Sequence, residues 1–411
     1  MTNKNKVLYV SYDGMTDALG QSQVIPYLKE LAKREFEIHI LSAEKLINFQ
    51  NKKDFISKIF TEANIVWHHI NYTKNPPIIS SLKDIYCLKK KAVKLNKKYN
   101  YKIIHCRSYI SAFVGMKMKK KFAAKFLFDM RGFYADERVD GNLWNKKNLV
   151  FKLVYDYFKR KEKVFLENAD YTVSLTNAGK DIIHNKFNFP NIPIEVIPCC
   201  ADINHFDYNK ISEAKTNELR TKLKISKDDF VLSYLGSIGT WYMLDEMLDF
   251  FKVLKLRYKN AKFLFITTDN PENIHRHIEE KNIILKDILI KSANREAVPE
   301  LLSLSDLSIF FIKPVFSKKA SSPTKLAEIL GMGVPIVCNS GVGDIDEIFT
   351  KNNIGLLVSE FKESEYKNTV DKMEDIININ KFDLRKVSEN LFSLQMGVEK
   401  YYNIYKSLIT K

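Results

Sequence analysis

The sequence predicts an α/β protein of two domains, each a parallel sheet wound on both faces by helices. Three observations lead there. Short apolar runs of strand length alternate with longer helical patterns, as parallel strands joined by crossover helices require. The alternation restarts after Pro198-Cys-Cys-Ala-Asp-Ile-Asn-His-Phe-Asp207, a stretch with linker character. The 411 residues, 45% hydrophobic and 12% aromatic, are also enough to fill two cores. The expected division is a first domain over 1–203, a second over 204–390 and a helical tail over 391–411.

Val7-Leu8-Tyr9-Val10 reads as a first buried strand, and residues 11–23 as a polar loop holding Gly14 and Gly20. A helix follows over 24–34 with Pro26 in its first turn, where the missing N–H removes no helical bond. A second strand over 36–41 completes a βαβ opening. Further strands are expected at 65–70, 103–105, 125–128, 171–175 and 194–197. In the second half they fall at 230–235, 263–267, 288–290, 307–312, 335–338 and 355–358. A helix spans 243–258, and the tail is helical over 391–408. There are no internal repeats and no low-complexity tract.

No apolar run reaches the roughly 18–20 residues of a membrane span, and Met-Thr-Asn-Lys-Asn-Lys leads straight into a strand, so a cytoplasmic protein is expected. The five cysteines, Cys87, Cys106, Cys199, Cys200 and Cys338, form no Cys-x-x-Cys pair and read as reduced thiols in cores. The net charge of +16 is uneven. Residues 1–200 carry 35 Lys+Arg against 19 Asp+Glu, and residues 201–411 carry 30 of each. A basic half fits nucleic acid, an anionic membrane surface or anionic small molecules, or is simply a lysine-rich solvated surface. A helix over 81–98 sets Leu82, Ile85, Tyr86, Ala92, Val93 and Leu95 among Lys83, Lys89, Lys90, Lys91, Lys94, Lys97 and Lys98, with Lys102 nearby. With Lys117, Lys119, Lys120 and Lys121 it forms a basic amphipathic surface suited to anionic lipid, the alternative being a solvated helix face.

The most informative stretch is Ser321-Ser-Pro-Thr-Lys-Leu-Ala-Glu-Ile-Leu-Gly-Met-Gly-Val-Pro-Ile-Val-Cys-Asn339. Pro323 suits the first turn of a helix that Gly331 and Gly333 stop, and the apolar run 334–338 is a buried strand. Ser322, Pro323, Thr324 and Lys325 put free N–H groups, the positive helix end and a full charge at one place, which suits a phosphate. Glu328 lies one turn on, where its carboxylate can accept from a ribose diol. Asp344-Ile-Asp346 superficially fits a metal-binding Asp-x-Asp. With Glu347 three residues after Asp344, it reads instead as a capping box opening a short helix.

Glu-Ile-Leu-Gly-Met-Gly-Val-Pro-Ile-Val, residues 328–337, resembles the E-A-M-A-x-G-x-P-V-V segment of retaining family 4 glycosyltransferases of the GT-B fold. With two Rossmann-like domains and a helical tail, the resemblance extends over nearly the whole chain. It implies two doubly wound domains facing across a cleft, with the tail crossing back onto the first domain and packing through Met396, Tyr401, Tyr402 and Tyr405. Glu328 then binds ribose. Ala320 stands where many members have a second Glu. Leu19-Gly20 replaces a Gly-Gly pair at the first loop, leaving Gly20, Gln21 and Ser22 as phosphate donors. Ser237 and Tyr242 replace an Arg and a Lys, so Gly236, Ser237, Gly239 and Thr240 offer neutral donors and Lys325 supplies charge. Ala293, Asn294 and Arg295 fall where relatives hold the base. Arg131 occupies the place of a His; it cannot be a base, but can clamp phosphate or steady leaving-group charge. Asp129 and Glu137 become candidate acceptor-site carboxylates, unless the stretch from Asp129 to Arg138 is an ion-paired structural turn. Asp13, His105 and Arg107 fall on the acceptor side.

The implied activity is retaining, metal-independent transfer from a UDP- or GDP-sugar to a glycan or lipid-linked glycan, in synthesis of bacterial capsule, O-antigen or exopolysaccharide. No cofactor, metal or nucleic-acid partner is expected, and the protein would lie in the cytoplasm or peripherally at the inner face of the plasma membrane. Two alternatives stay open: a sugar-nucleotide epimerase of the same fold, and a basic nucleic-acid-binding protein. A dinucleotide dehydrogenase is excluded because Gly-x-Gly-x-x-Gly does not follow the first strand.

Overall fold

The computed structural model describes residues 4–76 and 78–410. The chain divides into two compact units, the first ending at Cys200 and resuming at Leu394, the second being Ala201–Ser393.

The first unit holds seven strands: β1 (Asn5–Ser11), β2 (Phe36–Glu44), β3 (Val66–Asn71), β4 (Ile103–Arg107), β5 (Lys125–Asp129), β6 (Tyr171–Ser174) and β7 (Ile194–Val196). Every pairing is parallel and the order is β3-β2-β1-β4-β5-β6-β7. Helices cover both faces, which is why Val7 to Val10 and Ile103 to Cys106 are buried at every position and lack a strand's usual polar alternation. The order reverses between β1 and β4, and the crevice beyond the carboxyl ends of strands at such a reversal is where open parallel sheets bind ligands.

The tail packs on this unit. Its helix, Leu394–Thr410, buries Val398, Tyr401, Tyr405 and Leu408, with Met396 and Tyr402 partly buried. Tyr401 meets Tyr27 edge-on at 5.7 Å, and Tyr405 meets Phe36 at 5.2 Å. The tail starts later than expected. Residues 391 and 392 end the preceding helix, Lys381–Phe392, and Ser393 breaks the path with extended backbone.

The second unit holds β8 (Val231–Leu235), β9 (Lys262–Ile266), β10 (Ile288–Lys291), β11 (Leu307–Phe310), β12 (Ile336–Asn339) and β13 (Gly355–Val358). Their order is β10-β9-β8-β11-β12-β13, again all parallel, with the reversal between β8 and β11. Its core is a self-contained apolar cluster rich in phenylalanine, including Phe250, Phe251, Phe263 and Phe265.

Among the described residues no helix is long and apolar enough to cross a membrane. All five cysteines are free thiols, four of them buried. Asp344 does precede a short helix, Ile345–Lys351, but its carboxylate makes no cap hydrogen bond to it; Asp346 accepts instead from the Gly341 N–H at 2.8 Å. The expected capping box therefore does not form.

Candidate active site

In the second unit the site is built where β8 ends. Gly236 follows that strand at φ +111, a backbone that side chains rarely adopt. Its N–H donates to Ile266 O at 2.9 Å, prolonging the β8–β9 ladder, so the expected phosphate donor is already taken. The loop then leaves the sheet. Ser237, Gly239 and Thr240 are exposed, and between them Ile238 donates its N–H to the Asp269 carboxylate. The Ser237 carbonyl accepts from the Tyr234 hydroxyl at 2.5 Å.

The helix Thr324–Gly331 starts beside that loop. Pro323 stands at its N-cap, one residue before the first turn expected for it, with an extended ψ of 118. Lys325 does not project into water. It is 6% exposed, with Nζ 3.6 Å from the Tyr242 ring centroid, 4.2 Å from that of Tyr234 and 5.9 Å from that of Phe310. It donates to the Tyr234 hydroxyl at 3.1 Å. Burial pushes its pKa well below the ordinary lysine value, against the pull of Glu328 and Asp269. The amine that the sequence places at the helix end is thus enclosed by aromatic rings rather than set in water. That amine lies only 3.1 Å from where a side chain on Gly236 would begin, so it faces the loop that lacks the family's Arg and Lys.

Glu328 follows one turn later, its side chain 13% exposed and 3.4 Å from Arg295 Nη1. Burial pushes its carboxyl pKa up, and Arg295, then Lys325 and His205, oppose the rise. Arg295 is itself placed by its neighbours: its carbonyl accepts from His205 Nε2 at 2.9 Å, and its guanidinium lies 5.4 Å from the Phe206 ring centroid. The fold thereby joins the ribose and base candidates. Asn294 does not join them, because its side chain caps a turn by accepting from the Ala297 N–H at 3.1 Å. Ala320, in the place of the second Glu, is buried at the end of the turn Phe316–Ala320. The sequence reading missed Tyr234, His205 and Asp269. Asp269 stood three residues beyond β9, and its position past a strand end was the available signal.

In the first unit, Arg107 ends β4 and is buried, with Nε 3.1 Å from Asp13 Oδ2, so two of the three acceptor-side candidates meet at the β1–β4 reversal. The loop after β1 is clamped by Glu44, which the sequence reading also missed. Its carboxylate accepts from Met15 N at 2.7 Å, Thr16 N at 3.2 Å, Thr16 Oγ1 at 2.5 Å and Ser42 Oγ at 2.5 Å. Gly20 is not in that loop but in the short helix Ala18–Gln23, where a Cβ would stand 2.2 Å from Gly14 O. Its glycine is explained by close packing. The Gln21 side chain donates to Thr16 O at 3.0 Å, also a local role, and Ser22 Oγ donates to Ala18 O at 2.8 Å.

His105 and Asp129 are corrected outright. Both lie buried beneath the tail helix, His105 Nδ1 2.7 Å from the Tyr405 hydroxyl and Asp129 Oδ2 accepting from Tyr401 at 3.0 Å. Their own approach is 3.5 Å. Burial raises the Asp129 carboxyl pKa, but Arg131 and His105 together hold it below the usual value. Both side chains are enclosed, as the structural-turn alternative expects of Asp129. Arg131 adopts φ +60, with Nη2 3.1 Å from Cys199 Sγ and Nη1 3.9 Å from Asp129 Oδ1. Glu137 lies half-buried on the helix Tyr134–Asp140. Among the described residues no group of three or more His, Cys, Asp or Glu is disposed to hold a metal.

Residues 22–205 match the model of Glycosyltransferase Family 4, and residues 215–386 match that of Glycosyl transferases group 1. The chain belongs to the group 1, family 4 glycosyltransferases. No curated protein matches it by sequence. Among solved structures it resembles a glycosyltransferase from Rickettsia africae, at 17% identity over 99% of both chains with a TM-score of 0.72. It also resembles a sucrose-phosphate synthase from Thermosynechococcus elongatus, at 14% identity over 99% of this chain and 100% of that one, TM-score 0.73. A third is HepE of Anabaena in complex with UDP-glucose, at 13% identity over 98% and 99% of the two chains, TM-score 0.71. At these identities the likeness is one of fold, and the fold is GT-B.

The glycosyltransferase thus carries, in its second unit, a carboxylate held by a guanidinium and an amine held by aromatic rings on one helix. A carboxylate fixed in this way can accept hydrogen bonds from a vicinal diol without leaving its ion pair. An amine beside a loop of small residues can meet an oxyanion at short range.

Proposed function

We propose that this glycosyltransferase is a retaining enzyme that moves a sugar from a UDP- or GDP-sugar to a glycan or lipid-linked glycan in bacterial surface polysaccharide synthesis. The observation that carries the donor reading is the placing of Glu328 and Lys325 on one helix beside the Gly236 loop. HepE, which shares the fold and is complexed with UDP-glucose, supports a uridine donor. In this reading Glu328 accepts from the ribose diol, Arg295 orients it and borders the base, and Lys325 meets the diphosphate with Ser237, Gly239, Thr240, Ser322 and Thr324. Arg131, Arg107, Asp13 and Glu137 belong to the acceptor side.

Charge develops on the leaving diphosphate as the sugar bond breaks, so a nearby cation lowers the barrier more than it strengthens ground-state binding. The acceptor hydroxyl would lose its proton to that phosphate, which makes a dedicated side-chain base unnecessary, and the same cation would make activity independent of added divalent metal.

A thermal-shift screen of UDP, GDP, ADP and their sugars identifies the donor, since a ligand at 100 times its Kd stabilises by roughly 2.7 kcal/mol. Glu328→Ala removes a charged hydrogen bond of about 1.5–3 kcal/mol and should weaken nucleotide binding roughly ten- to a hundredfold. Unchanged affinity in a folded variant would remove Glu328 from the site. Product anomers followed by NMR decide retention, and an inverted anomeric centre would defeat that part of the reading.

A further inference from the structure

We propose that a face of the first unit, formed by the helices Ile79–Tyr99 and Leu149–Asn168, docks on an anionic lipid bilayer. The proposal deepens the lipid-linked reading and rests on it for the choice of a lipid partner; the surface itself is read from the structure. Of the seventeen large apolar side chains exposed among the described residues, thirteen lie in the first unit, which also holds the excess of positive charge. Seven of the thirteen fall on these two helices.

They fall in register. On the first helix Ile79, Leu82 and Tyr86 are three and four residues apart and so share one face, which Lys89 continues. On the second, Leu149, Leu153 and Tyr157 repeat every four residues, and Lys161 continues that line. Leu149 is 76% exposed, Leu153 66% and Tyr86 64%. The two lines converge on the helix between them, Ser108–Phe122. Its Phe113 stacks on Tyr157 with ring centroids 6.2 Å apart, while Lys89 Nζ lies 5.0 Å from the Phe113 centroid. Lys161 lies 5.5 Å from the Tyr157 centroid. Burial, then the nearby Lys117 and Lys161, disfavour the charge on Lys89, and the two neighbours place three cations on one patch.

The sequence of the projecting part has the same two-sided character. From residue 142 to 161 there are six cations, at Lys146, Lys147, Lys152, Lys159, Arg160 and Lys161, against the single carboxylate of Asp156. Lys159 turns inward to Asp136 and Glu162, and Lys152 pairs with Asp156 at 2.9 Å, while Lys146 and Lys147 stay exposed beside Leu149. Leucines that enter the acyl boundary while flanking lysines stay among phosphates satisfy both groups at once. A second copy of this face would bring cations against cations. Nucleic acid would meet the lysines and leave the leucines in water.

The test uses the full chain and vesicles of phosphatidylcholine alone or mixed with phosphatidylglycerol, with binding read by sedimentation. Binding is expected only to the anionic vesicles and should fade with salt. Lys146→Gln with Lys147→Gln should weaken it about thirtyfold, at about 1 kcal/mol per surface cation. Leu149→Gln with Leu153→Gln should weaken it by about tenfold or more. Leu256→Gln, an equally exposed leucine of the second unit, should change nothing. Thermal unfolding and UDP or GDP affinity, measured on the same preparations, report on folding and on the donor reading separately. The proposal is overturned if anionic vesicles fail to bind, if the paired leucine variant binds like wild type, or if duplex DNA displaces the vesicles at equal phosphate concentration. In each case an intact nucleotide affinity leaves the transfer reading standing.

Discussion

If Lys325 meets the donor diphosphate as proposed, this one side chain couples donor binding to pH. Three rings and one hydroxyl surround its amine, and burial pushes its pKa well below that of an exposed lysine. Between that lowered value and the ordinary ~10.4 the unfolded chain binds more protons than the folded one. Stability of the free protein should therefore rise with pH through that window and be lost as pH falls toward the folded pKa. A bound diphosphate would reverse the balance by favouring the ammonium, so binding should take up a proton. Above about pH 8, where the phosphates' own ionisation near 6 is complete, UDP or GDP affinity should fall by up to about tenfold per pH unit, and nucleoside affinity should not. Calorimetry in two buffers of different ionisation heat measures the proton directly, and zero uptake would mean that Lys325 is already charged. The same residue predicts a separation in kinetics. Lys325→Met should depress turnover far more than it weakens nucleoside binding, and near-normal turnover would move the charge to Arg131, Arg295 or a metal.

At the scale of elements, the tail helix explains why His105 of β4 and Asp129 at the end of β5 are enclosed. Tyr401 and Tyr405 cap Asp129 and His105 in a buried cluster, and an unmet buried polar group costs about 1–3 kcal/mol. Tyr401→Phe should accordingly lower the unfolding free energy measured by urea titration by that amount and leave nucleotide affinity unchanged. Lost turnover at full stability would return Asp129 to the acceptor site. The central strands were legible in the sequence because a parallel strand buried on both faces reads as an unbroken apolar run, whereas the partly exposed β3 and β10 follow from the strand–helix alternation. The helix Ala18–Gln23 was not legible: six residues carry too little periodicity to distinguish a helix from a polar loop, and Gly20 argued for the loop. The roles of Gln21, Asn294, His105 and Asp129 were illegible for a different reason. Each is decided by its partner, and the partner of Asp129 lies 272 residues away. Glu328 and Arg295 were both read as candidates, but their pairing across 33 residues appears only in the folded chain.

For the whole molecule, the path of the chain makes a further prediction. The second unit is continuous in sequence, and its two ends are stitched together, Ala201 N donating to Phe392 O at 2.9 Å beside a bridge between Ala201 and Ser393. Its apolar cluster is drawn from its own residues, from Ala201 to Phe392. The first unit is discontinuous. Its core includes Leu394, Val398, Tyr401, Ile404, Tyr405 and Leu408, which are synthesised last. A fragment of residues 201–393 should therefore fold cooperatively when expressed by itself, at a length well within the range of single domains. Every donor-site residue proposed in it, from Ser237 to Glu328, is then present. The isolated fragment should gain roughly 2.7 kcal/mol from UDP or GDP at 100 times its Kd, as is expected of the intact enzyme. Residues 1–200 without the tail should instead expose the faces that Tyr401 and Tyr405 cover, and be recovered as aggregate. Adding back residues 394–411 through a flexible linker should restore a soluble unit. A fragment 201–393 that folds but ignores both nucleotides would show that donor binding needs groups from the first unit, and would shift weight to Arg131 and the loop after β1.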